Sequence, residues 1–282
     1  MKVTSKKTTQ FSALHKRKGT FVIPNPWDVG SAKMLTALGA EALATTSAGF
    51  AFSKGVPDGV GELSRSDVLD HAKEILEATH LPVSADLENG YGDSPEEVAE
   101  TVQLAMEIGL AGCAIEDTTG DPENPIYDKS LAIERIAAAA EVVNKYDPDF
   151  VLTARAENYL FRRYDLEDTL ARLVGYERVG ASVLYAPGLP DIDAIRTVCE
   201  SVDRPVNVVA GIGLVGVTFS QLQIAGVKRI SVGSSLSRVA YGAMISSFNT
   251  ILQTGSFDSF NDAASFSALD GLNKKADRLR GV

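Results

Sequence analysis

Short apolar runs alternate with amphipathic segments along almost the whole of this chain, and this alternation limits the possible folds more than any other feature. The apolar runs are bounded by Pro, Gly or polar residues, as buried strands are. They predict eight strands, at residues 21–23, 42–45, 82–86, 112–116, 150–154, 182–185, 205–209 and 229–232. The amphipathic segments predict helices at residues 27–38, 64–78, 94–108, 131–144, 166–179, 191–200 and 235–252, with a polar, Gly-rich connection at 47–62.

Helical connections between consecutive strands imply parallel pairing through right-handed crossovers. Eight such units in about 230 residues predict an α/β fold of the closed (β/α)8 TIM-barrel type. A doubly wound open sheet is the competing prediction, but that fold usually carries a G-x-G-x-x-G turn after its first strand. The residues after the first strand here, 24–30, read P-N-P-W-D-V-G and do not match.

The chain has 282 residues, and we expect residues 1–282 to form a single domain with the barrel at about 20–252. A helix-like run near residues 9–18 precedes the barrel. Another, at 257–279, lies in a C-terminal helical extension of residues 253–282. Both additions are expected to pack on the barrel or on a neighbouring subunit.

Charge and composition exclude some classes of partner. A net charge of −10 and a pI near 4.9, with no basic patch, argue against a nucleic-acid partner but not against small anions. No run of 18 apolar residues is present, and the basic start is not followed by an apolar segment, so neither a membrane anchor nor a signal peptide is expected. Cys113 and Cys199 have no nearby cysteine partner, which is typical of a reducing compartment, and we expect the protein in the cytoplasm.

Two carboxylates, Asp86 and Glu88, follow the third predicted strand. They are two residues apart, so in extended backbone both side chains leave the same face, and Gly90 and Gly92 allow a close turn around a ligand. Hard cations such as magnesium prefer such oxygen clusters. The alternative is that Asp86 caps a turn and that Glu88 is an ordinary loop residue.

Other polar residues are expected at the same mouth, because barrel active sites lie at the carboxyl ends of the strands. Glu116 ends a strongly apolar strand, so its carboxylate needs a cation or hydrogen-bond donors beside it. The guanidinium of Arg155 can bind a carboxylate through two hydrogen bonds. A purely structural pairing of Arg155 with Glu116 or Asp86 is the alternative. The remaining candidates at strand ends are Thr45, Thr46, Ser47, Ala48, Gly49, Asp117, Glu157, Asn158, Asn207, Gly233, Ser234 and Ser235.

Taken together, these residues resemble the isocitrate lyase and phosphoenolpyruvate mutase superfamily. The resemblance spans roughly residues 25–244. Its marks are S-A-G at 47–49, G-V-P-D at 55–58, D-L-E-N-G-Y-G at 86–92, I-E-D at 115–117 and A-R at 154–155. The resemblance implies a (β/α)8 barrel, a homo-oligomer (a dimer or tetramer) that exchanges or docks its last helices, and a magnesium site, with manganese as the alternative, for a 2-oxo or 2-hydroxy acid.

Carried over by position, the resemblance implies a role for each motif. Asp86 and Glu116 would hold the ion directly or through water, Glu88 would hold it through water, and Asp58 would lie beyond its direct ligands. The backbone at residues 47–49 would bind the substrate carboxylate, and Arg155 would pair with substrate oxygens. The substrate contacts expected on this basis come from Thr45, Ser47, Ala48, Gly49, Asp86, Arg155 and Asn207.

The loop after the fourth strand departs from the named lyases of this family. Isocitrate and methylisocitrate lyases carry K-K-C-G-H there, whereas residues 118–128 read T-T-G-D-P-E-N-P-I-Y-D and contain no thiol. They also have an aromatic residue where this chain has Thr45. These departures argue against both named activities and leave Asn124, Tyr127 and Tyr91 as candidates for proton handling. We expect Arg155, Asp58, Asn124 and Tyr127 to be the catalytic residues, and the loop to act as a lid.

The leading hypothesis is a magnesium-dependent lyase that cleaves a carbon–carbon bond in a small 2-oxo or 2-hydroxy (di)carboxylic acid through a metal-stabilised enolate. Phosphorus–carbon chemistry, of the phosphoenolpyruvate mutase or phosphonopyruvate hydrolase type, is the alternative, since it uses the same metal and oxo-acid pocket. A non-catalytic barrel that binds a 2-oxo acid is the third hypothesis.

Overall fold

The computed structural model describes residues 5–59, 61–211, 213–214 and 216–281. Its eight strands are all parallel and form one sheet in the order β1-β8-β7-β6-β5-β4-β3-β2, which confirms the barrel prediction. The strands are β1 Phe21–Ile23, β2 Leu43–Ala44, β3 Val83–Asp86, β4 Gly112–Glu116, β5 Val151–Arg155, β6 Val183–Tyr185, β7 Val206–Val209 and β8 Arg229–Ser231.

The barrel closes at a seam between β1 and β2, which a backbone hydrogen bond and the Asn25 side chain both bridge. The Ala44 N–H donates to the carbonyl of Pro24 at 3.2 Å. Asn25 Nδ2 donates to the carbonyl of Thr45 at 3.0 Å, while its Oδ1 accepts from the backbone N–H groups of Val232 and Gly233 at 2.9 and 3.0 Å. One buried side chain therefore links the ends of β8, β1 and β2.

Helices surround the sheet, and most begin at a side-chain cap. Asp28, Ser64, Ser94 and Thr218 form capping boxes, in which each side chain satisfies an otherwise unpaired backbone N–H. The helices are α1 Lys6–Lys16, α2 Val29–Ala37, α3 Ser47–Lys54, α4 Arg65–Ala78, α5 Pro95–Glu107, α6 Lys129–Tyr146, α7 Leu166–Arg178, α8 Ile192–Ser201, α9 Phe219–Ile224, α10 Ser235–Thr254 and α11 Phe266–Arg280. None in the described part of the chain is long and apolar enough to span a bilayer.

The structure differs from the sequence prediction at three places. The connection predicted at 47–62 begins with α3, which Thr46 caps and Gly55 ends in the left-handed conformation. The short helix α9 was not predicted. The predicted C-terminal run is divided into a 3-10 helix, Asp258–Asp262, and α11, because Ser265 caps a new helix.

Two separate apolar cores position the site. The larger lies between the sheet and the surrounding helices. The smaller lies at the amino-terminal ends of the strands, where Phe11 and Leu14 of α1 pack on Phe21, Val151 and Val183. The helix α1 therefore closes the barrel from its amino-terminal end and leaves the carboxyl end open.

Candidate active site

A cleft of about 1250 Å³ lies over the carboxyl ends of the strands. Asp58, Glu88, Glu116, Arg155 and Glu157 line it. A narrower cavity of about 200 Å³ is lined by inward-facing strand residues and shares Ser47, Asp58 and Arg155 with the cleft. These charged candidates from the sequence therefore meet at the mouth of the barrel, as expected for this fold.

Arg155 lies at the centre of this mouth and contacts three carboxylates. Its Nη1 is 3.1 Å from Asp86 Oδ1 and 2.7 Å from Glu116 Oε1. Its Nε donates to Glu157 Oε1 at 2.7 Å. The pairing that the sequence left open is thus present, and Arg155 Nη2 keeps no hydrogen-bond partner within the described residues.

This cluster has three carboxyl groups and one guanidinium. Burial lowers the pKa of Arg155, but the carboxylates of Glu116, Glu157 and Asp86 outweigh it and raise that pKa well above its ordinary value. Burial raises the pKa of Glu116 well above its ordinary value, and it raises the pKa of Glu157 to about 7 although Arg155 opposes both shifts. Three acids compete for one guanidinium, so a further cation would stabilise the site.

The amino-terminal turn of α3 supports Asp86. The N–H of Ser47 donates to Asp86 Oδ2 at 3.3 Å, and Thr45 Oγ1 accepts from the Asp86 N–H at 2.9 Å. Gly49 N–H donates to the Thr46 hydroxyl that caps the helix. The expected carboxylate-binding turn at 47–49 therefore lies beside Asp86, where a helix amino terminus attracts anions.

The loop after β3 holds Glu88 in a strained conformation. Glu88 and Tyr91 have positive φ angles of 47° and 59°, which non-glycine residues adopt rarely and mostly where surrounding contacts enforce them. Buried Arg135, from α6, contacts the same loop by donating to the carbonyls of Asn89, Gly92 and Asp93. Burial and the negative charges of Asp86 and Asp58 raise the pKa of Glu88 to about 7, and its Oε1 lies 3.4 Å from the Tyr91 hydroxyl.

The loop after β4 places its two candidate residues away from Arg155. Asn124 is exposed and donates to Asp121 Oδ2 at 3.3 Å. Tyr127 is buried and donates to Asp93 Oδ1 at 2.5 Å. The Arg135 guanidinium lies over the Tyr127 ring, with Cζ 4.2 Å from the ring centre. Thr118 to Pro122 of this loop line the cleft instead. A role for Asn124 or Tyr127 in proton transfer would need the loop to move.

Two further residues in the inner cavity, Tyr185 and Arg229, were not among the sequence candidates. Tyr185 lies below the Arg155 guanidinium, 5.0 Å from ring centre to Cζ. The Arg229 Nε donates to Asn207 Oδ1 at 2.8 Å, and Asn207 Nδ2 donates to Ser231 Oγ at 3.1 Å. Both are inward-facing strand residues, so the barrel alternation applied to the sixth and eighth strands is the signal that would have found them.

The donor set fits a hard divalent cation. Asp86, Glu88 and Glu116 offer only oxygen, in a site where the acids outnumber the one guanidinium of Arg155. Among the described residues, no three His, Cys, Asp or Glu side chains are placed to hold a metal ion together. An ion here would therefore take few protein ligands directly and complete its shell with water and substrate, as magnesium often does.

Comparisons with known proteins agree with this architecture. The family model for phosphoenolpyruvate phosphomutase matches residues 11–252. An uncharacterised protein of Mycobacterium tuberculosis is 32% identical over 225 residues, which are 79% of this chain and 81% of that protein. The 2-methylisocitrate lyase of Escherichia coli is 31% identical over 160 residues, only 55% of this chain and 52% of that enzyme.

A solved structure from Burkholderia cenocepacia is more similar still. That protein, provisionally described as a lyase/mutase, is 48% identical, with a TM-score of 0.91 over 94% of this chain and 95% of its own. The family model alone covers most of the barrel. The chain belongs to the isocitrate lyase and phosphoenolpyruvate mutase superfamily.

Proposed function

We propose that this protein is a magnesium-dependent lyase that cleaves a carbon–carbon bond in a small 2-oxo or 2-hydroxy (di)carboxylic acid. The observation that carries the proposal is the position of Arg155, between the carboxylates of Asp86, Glu116 and Glu157 and beside the amino terminus of α3. In this arrangement the Arg155 guanidinium and the backbone N–H groups of α3 could bind anionic substrate oxygens, and the carboxylates could bind a cation. Similarity to 2-methylisocitrate lyase supports the reaction class.

In this proposal Asp86 and Glu116 would hold magnesium, or manganese, directly or through water, Glu88 would hold it through water, and Asp58 would lie beyond its direct ligands. The bound cation would supply stabilisation of the negative charge that develops on substrate oxygens during cleavage. Arg155 would bind a substrate oxygen through Nη2, because Nε and Nη1 already contact Glu157, Asp86 and Glu116. The backbone of residues 47–49 would orient the substrate carboxylate.

Phosphorus–carbon chemistry is the second candidate, and the match to the phosphoenolpyruvate phosphomutase family model favours it. It would use the same oxygen ligands and the same arginine. Asn124 lies in the loop that would have to close over such a substrate; it is exposed, and its hydrogen bonds within the described residues are to Thr119 and Asp121 of the same loop. A binding barrel without turnover is the third candidate.

A product assay separates these candidates. Purified protein with magnesium would be followed by proton and phosphorus NMR against oxaloacetate, 2-hydroxy dicarboxylic acids, phosphonopyruvate and phosphoenolpyruvate. Asp86→Asn is the test variant, and Asp70→Asn, at an exposed position of α4, is the matched control. A lyase yields a smaller 2-oxo acid from a carbon acid, and only Asp86→Asn stops it.

Phosphate release or a shifted phosphorus resonance would favour the second candidate. Saturable, magnesium-dependent binding of oxalate without turnover of any compound would favour the third. Oxalate is the probe because its two adjacent carboxylates have the oxygen arrangement of a 2-oxo acid enolate. No binding and no turnover would refute all three.

We also infer a homo-oligomer, a dimer or tetramer, in the cytoplasm. The helix α10 buries only Ser237 among its 20 residues. Large apolar side chains on it are exposed, namely Val239, Met244, Ile245, Phe248 and Leu252. Such a face usually marks a protein interface, and sedimentation equilibrium would measure the subunit count. Both cysteines are unpaired, which supports a reducing compartment.

A further inference from the structure

A continuous row of inward-facing residues descends from the mouth to the floor of the barrel. Residues that pair in register between parallel strands lie on the same face of a sheet. Glu116 pairs with Arg155, Arg155 with Tyr185, Tyr185 with Asn207, and Asn207 with Arg229. Glu116, Arg155 and Tyr185 end their strands, whereas Arg229 begins β8, so the row passes from the carboxyl end of the barrel towards its amino-terminal end.

Arg229, at the lower end of this row, is a buried cation surrounded by neutral partners. Arg229 is only 5% exposed. It contacts Asn207 Oδ1, the Thr153 hydroxyl at 3.0 Å and His15 Nε2 at 3.3 Å. No carboxylate within the described ranges lies at ion-pair distance from it. Because an unpaired buried charge is costly, its retention there calls for a counter-charge.

His15 cannot supply that counter-charge. Its Nδ1 lies 2.8 Å from the carbonyl of Phe11, so Nδ1 carries the proton and Nε2 accepts from Arg229. Burial and the neighbouring Arg229 lower the pKa of His15 to about 3, which keeps the ring neutral. Burial also lowers the pKa of Arg229, to about 10, and the guanidinium remains charged at neutral pH.

Arg229 also keeps donors that no described residue uses. A guanidinium has five N–H groups, and three hydrogen bonds account for only part of them. Arg229 lines the same cavity of about 200 Å³ as Asp86 and Arg155, together with Asn207 and Ser231. A small molecule held at the mouth by Arg155 can therefore extend downward towards Arg229.

We propose that Arg229 and Asn207 form an anion subsite at the floor of this cavity, which takes the second carboxylate of a 2-oxo or 2-hydroxy dicarboxylic acid whose first carboxylate is bound at the mouth. The inference rests on the proposed function and narrows it, because it selects dicarboxylic over monocarboxylic substrates. Charge-assisted hydrogen bonds from a guanidinium suit a carboxylate. The rival explanation is that Arg229 only ties α1 to the strands through His15.

The test compares two probes on the magnesium-loaded protein by isothermal titration calorimetry. Oxalate is too short to reach beyond the mouth, whereas 3,3-difluorooxaloacetate is a four-carbon 2-oxo dicarboxylate. Arg229→Gln removes the charge but keeps a hydrogen-bonding side chain. We expect it to weaken difluorooxaloacetate binding by about 10- to 100-fold, the effect of losing a charged hydrogen-bond partner, and to leave oxalate binding unchanged.

Asn207→Asp provides a second variant in case Arg229→Gln does not fold. The new carboxylate would keep the 2.8 Å contact with Arg229 Nε and would give Arg229 an internal counter-charge. The protein should then melt at or above the wild-type temperature, yet lose affinity for difluorooxaloacetate by a similar factor and keep oxalate binding. Arg229→Lys, which preserves the charge, should restore part of the affinity that Arg229→Gln loses.

The outcomes separate this inference from the function on which it rests. If both variants bind difluorooxaloacetate as the wild type does, or if they lose both ligands equally, the subsite is wrong and the proposed function stands. A wild-type protein that binds oxalate but not difluorooxaloacetate also overturns the subsite alone. A wild-type protein that binds neither ligand overturns both.

Discussion

Glu157 Oε1 accepts a hydrogen bond from Arg155 Nε at 2.7 Å, and the Glu157 side chain is only 1% exposed. The backbone N–H of Glu157 in turn donates to Asp117 Oδ1 at 2.9 Å, and Asp117 is itself held by Arg172 and Tyr176 at 2.9 and 2.7 Å. A buried network behind the mouth therefore fixes the direction of the guanidinium that faces the cleft.

Removal of the Glu157 side chain should release Arg155. We expect Glu157→Ala to weaken magnesium-dependent oxalate binding by about tenfold or more, because a misdirected guanidinium loses its alignment with the substrate. Glu157→Gln keeps an oxygen acceptor for Nε and should retain most of the affinity. Calorimetric titration of both variants checks this. Equal losses in the two variants would show that the charge of Glu157, and not its positioning of Arg155, is what matters.

His15 should make the protein sensitive to mild acid. The folded state lowers the pKa of His15 from 6.5 to about 3, so the unfolded chain binds the proton more readily, and stability falls as the pH drops below about 6.5. Between pH 7 and pH 5 this linkage removes about 2 kcal/mol of unfolding free energy. Urea titrations of wild type and His15→Gln measure it, since Gln offers Arg229 an acceptor that does not titrate.

The matched control for that experiment is His80→Gln, at an exposed position after α4. It should keep the wild-type dependence on pH. A His15→Gln variant that loses stability as steeply as the wild type between pH 7 and pH 5 would contradict the assignment, because the acid sensitivity would then come from other groups.

The sequence was sufficient to predict the barrel and the place of its mouth. Strand position follows from local apolar runs, and the ends of parallel strands necessarily meet, so the proximity of Asp86, Glu116 and Arg155 could be predicted without coordinates. The helix over Ser47–Lys54 could not, because the run S-A-G-F-A-F-S-K has no clear helical period and its boundaries depend on the Thr46 cap and Gly55.

Long-range contacts between single side chains were beyond the sequence. The loop that carries Glu88 is held by Arg135, which lies 47 residues later on α6 and donates to backbone carbonyls of that loop. Arg229 depends on His15 and Thr153, from α1 and β5. Such contacts between backbone or neutral groups leave no pattern of charge or spacing along the chain.

Gly49 should be irreplaceable at the first turn of α3. A Cβ built there would lie 2.6 Å from Thr46 Cγ2 and 3.0 Å from Trp27 Cβ, too close for either to remain in place. Gly49→Ala should therefore displace the capping Thr46, cost about 1–3 kcal/mol of stability and weaken oxalate binding at residues 47–49.

The control for that substitution is Gly271→Ala on α11, where a Cβ would meet nothing within 4 Å. It should stabilise the helix by up to about 1 kcal/mol, because Ala has the higher helix propensity. Urea unfolding measures the stability of both variants, and calorimetric titration measures their affinity for oxalate. Wild-type oxalate affinity in folded Gly49→Ala would mean that this turn does not bind the ligand.

Asn25 should be the most sensitive polar residue at the barrel seam. Asn25→Ala leaves the carbonyl of Thr45 and the N–H groups of Val232 and Gly233 without their partner, in a region where Asn25 is 5% exposed. The expected loss is about 2–4 kcal/mol of unfolding free energy, and urea titration measures it.

Asn25→Asp distinguishes the two sides of this seam. The carboxylate still accepts from the backbone N–H groups of Val232 and Gly233, but it turns an oxygen towards the Thr45 carbonyl at the 3.0 Å contact. The variant should therefore recover only part of the stability that Asn25→Ala loses at neutral pH, and more of it at low pH, where a protonated carboxyl can donate to Thr45. Asn144→Ala, on the exposed face of α6, should unfold at the wild-type urea concentration. An Asn25→Ala protein that also does so would show that the strands close the barrel without this side chain.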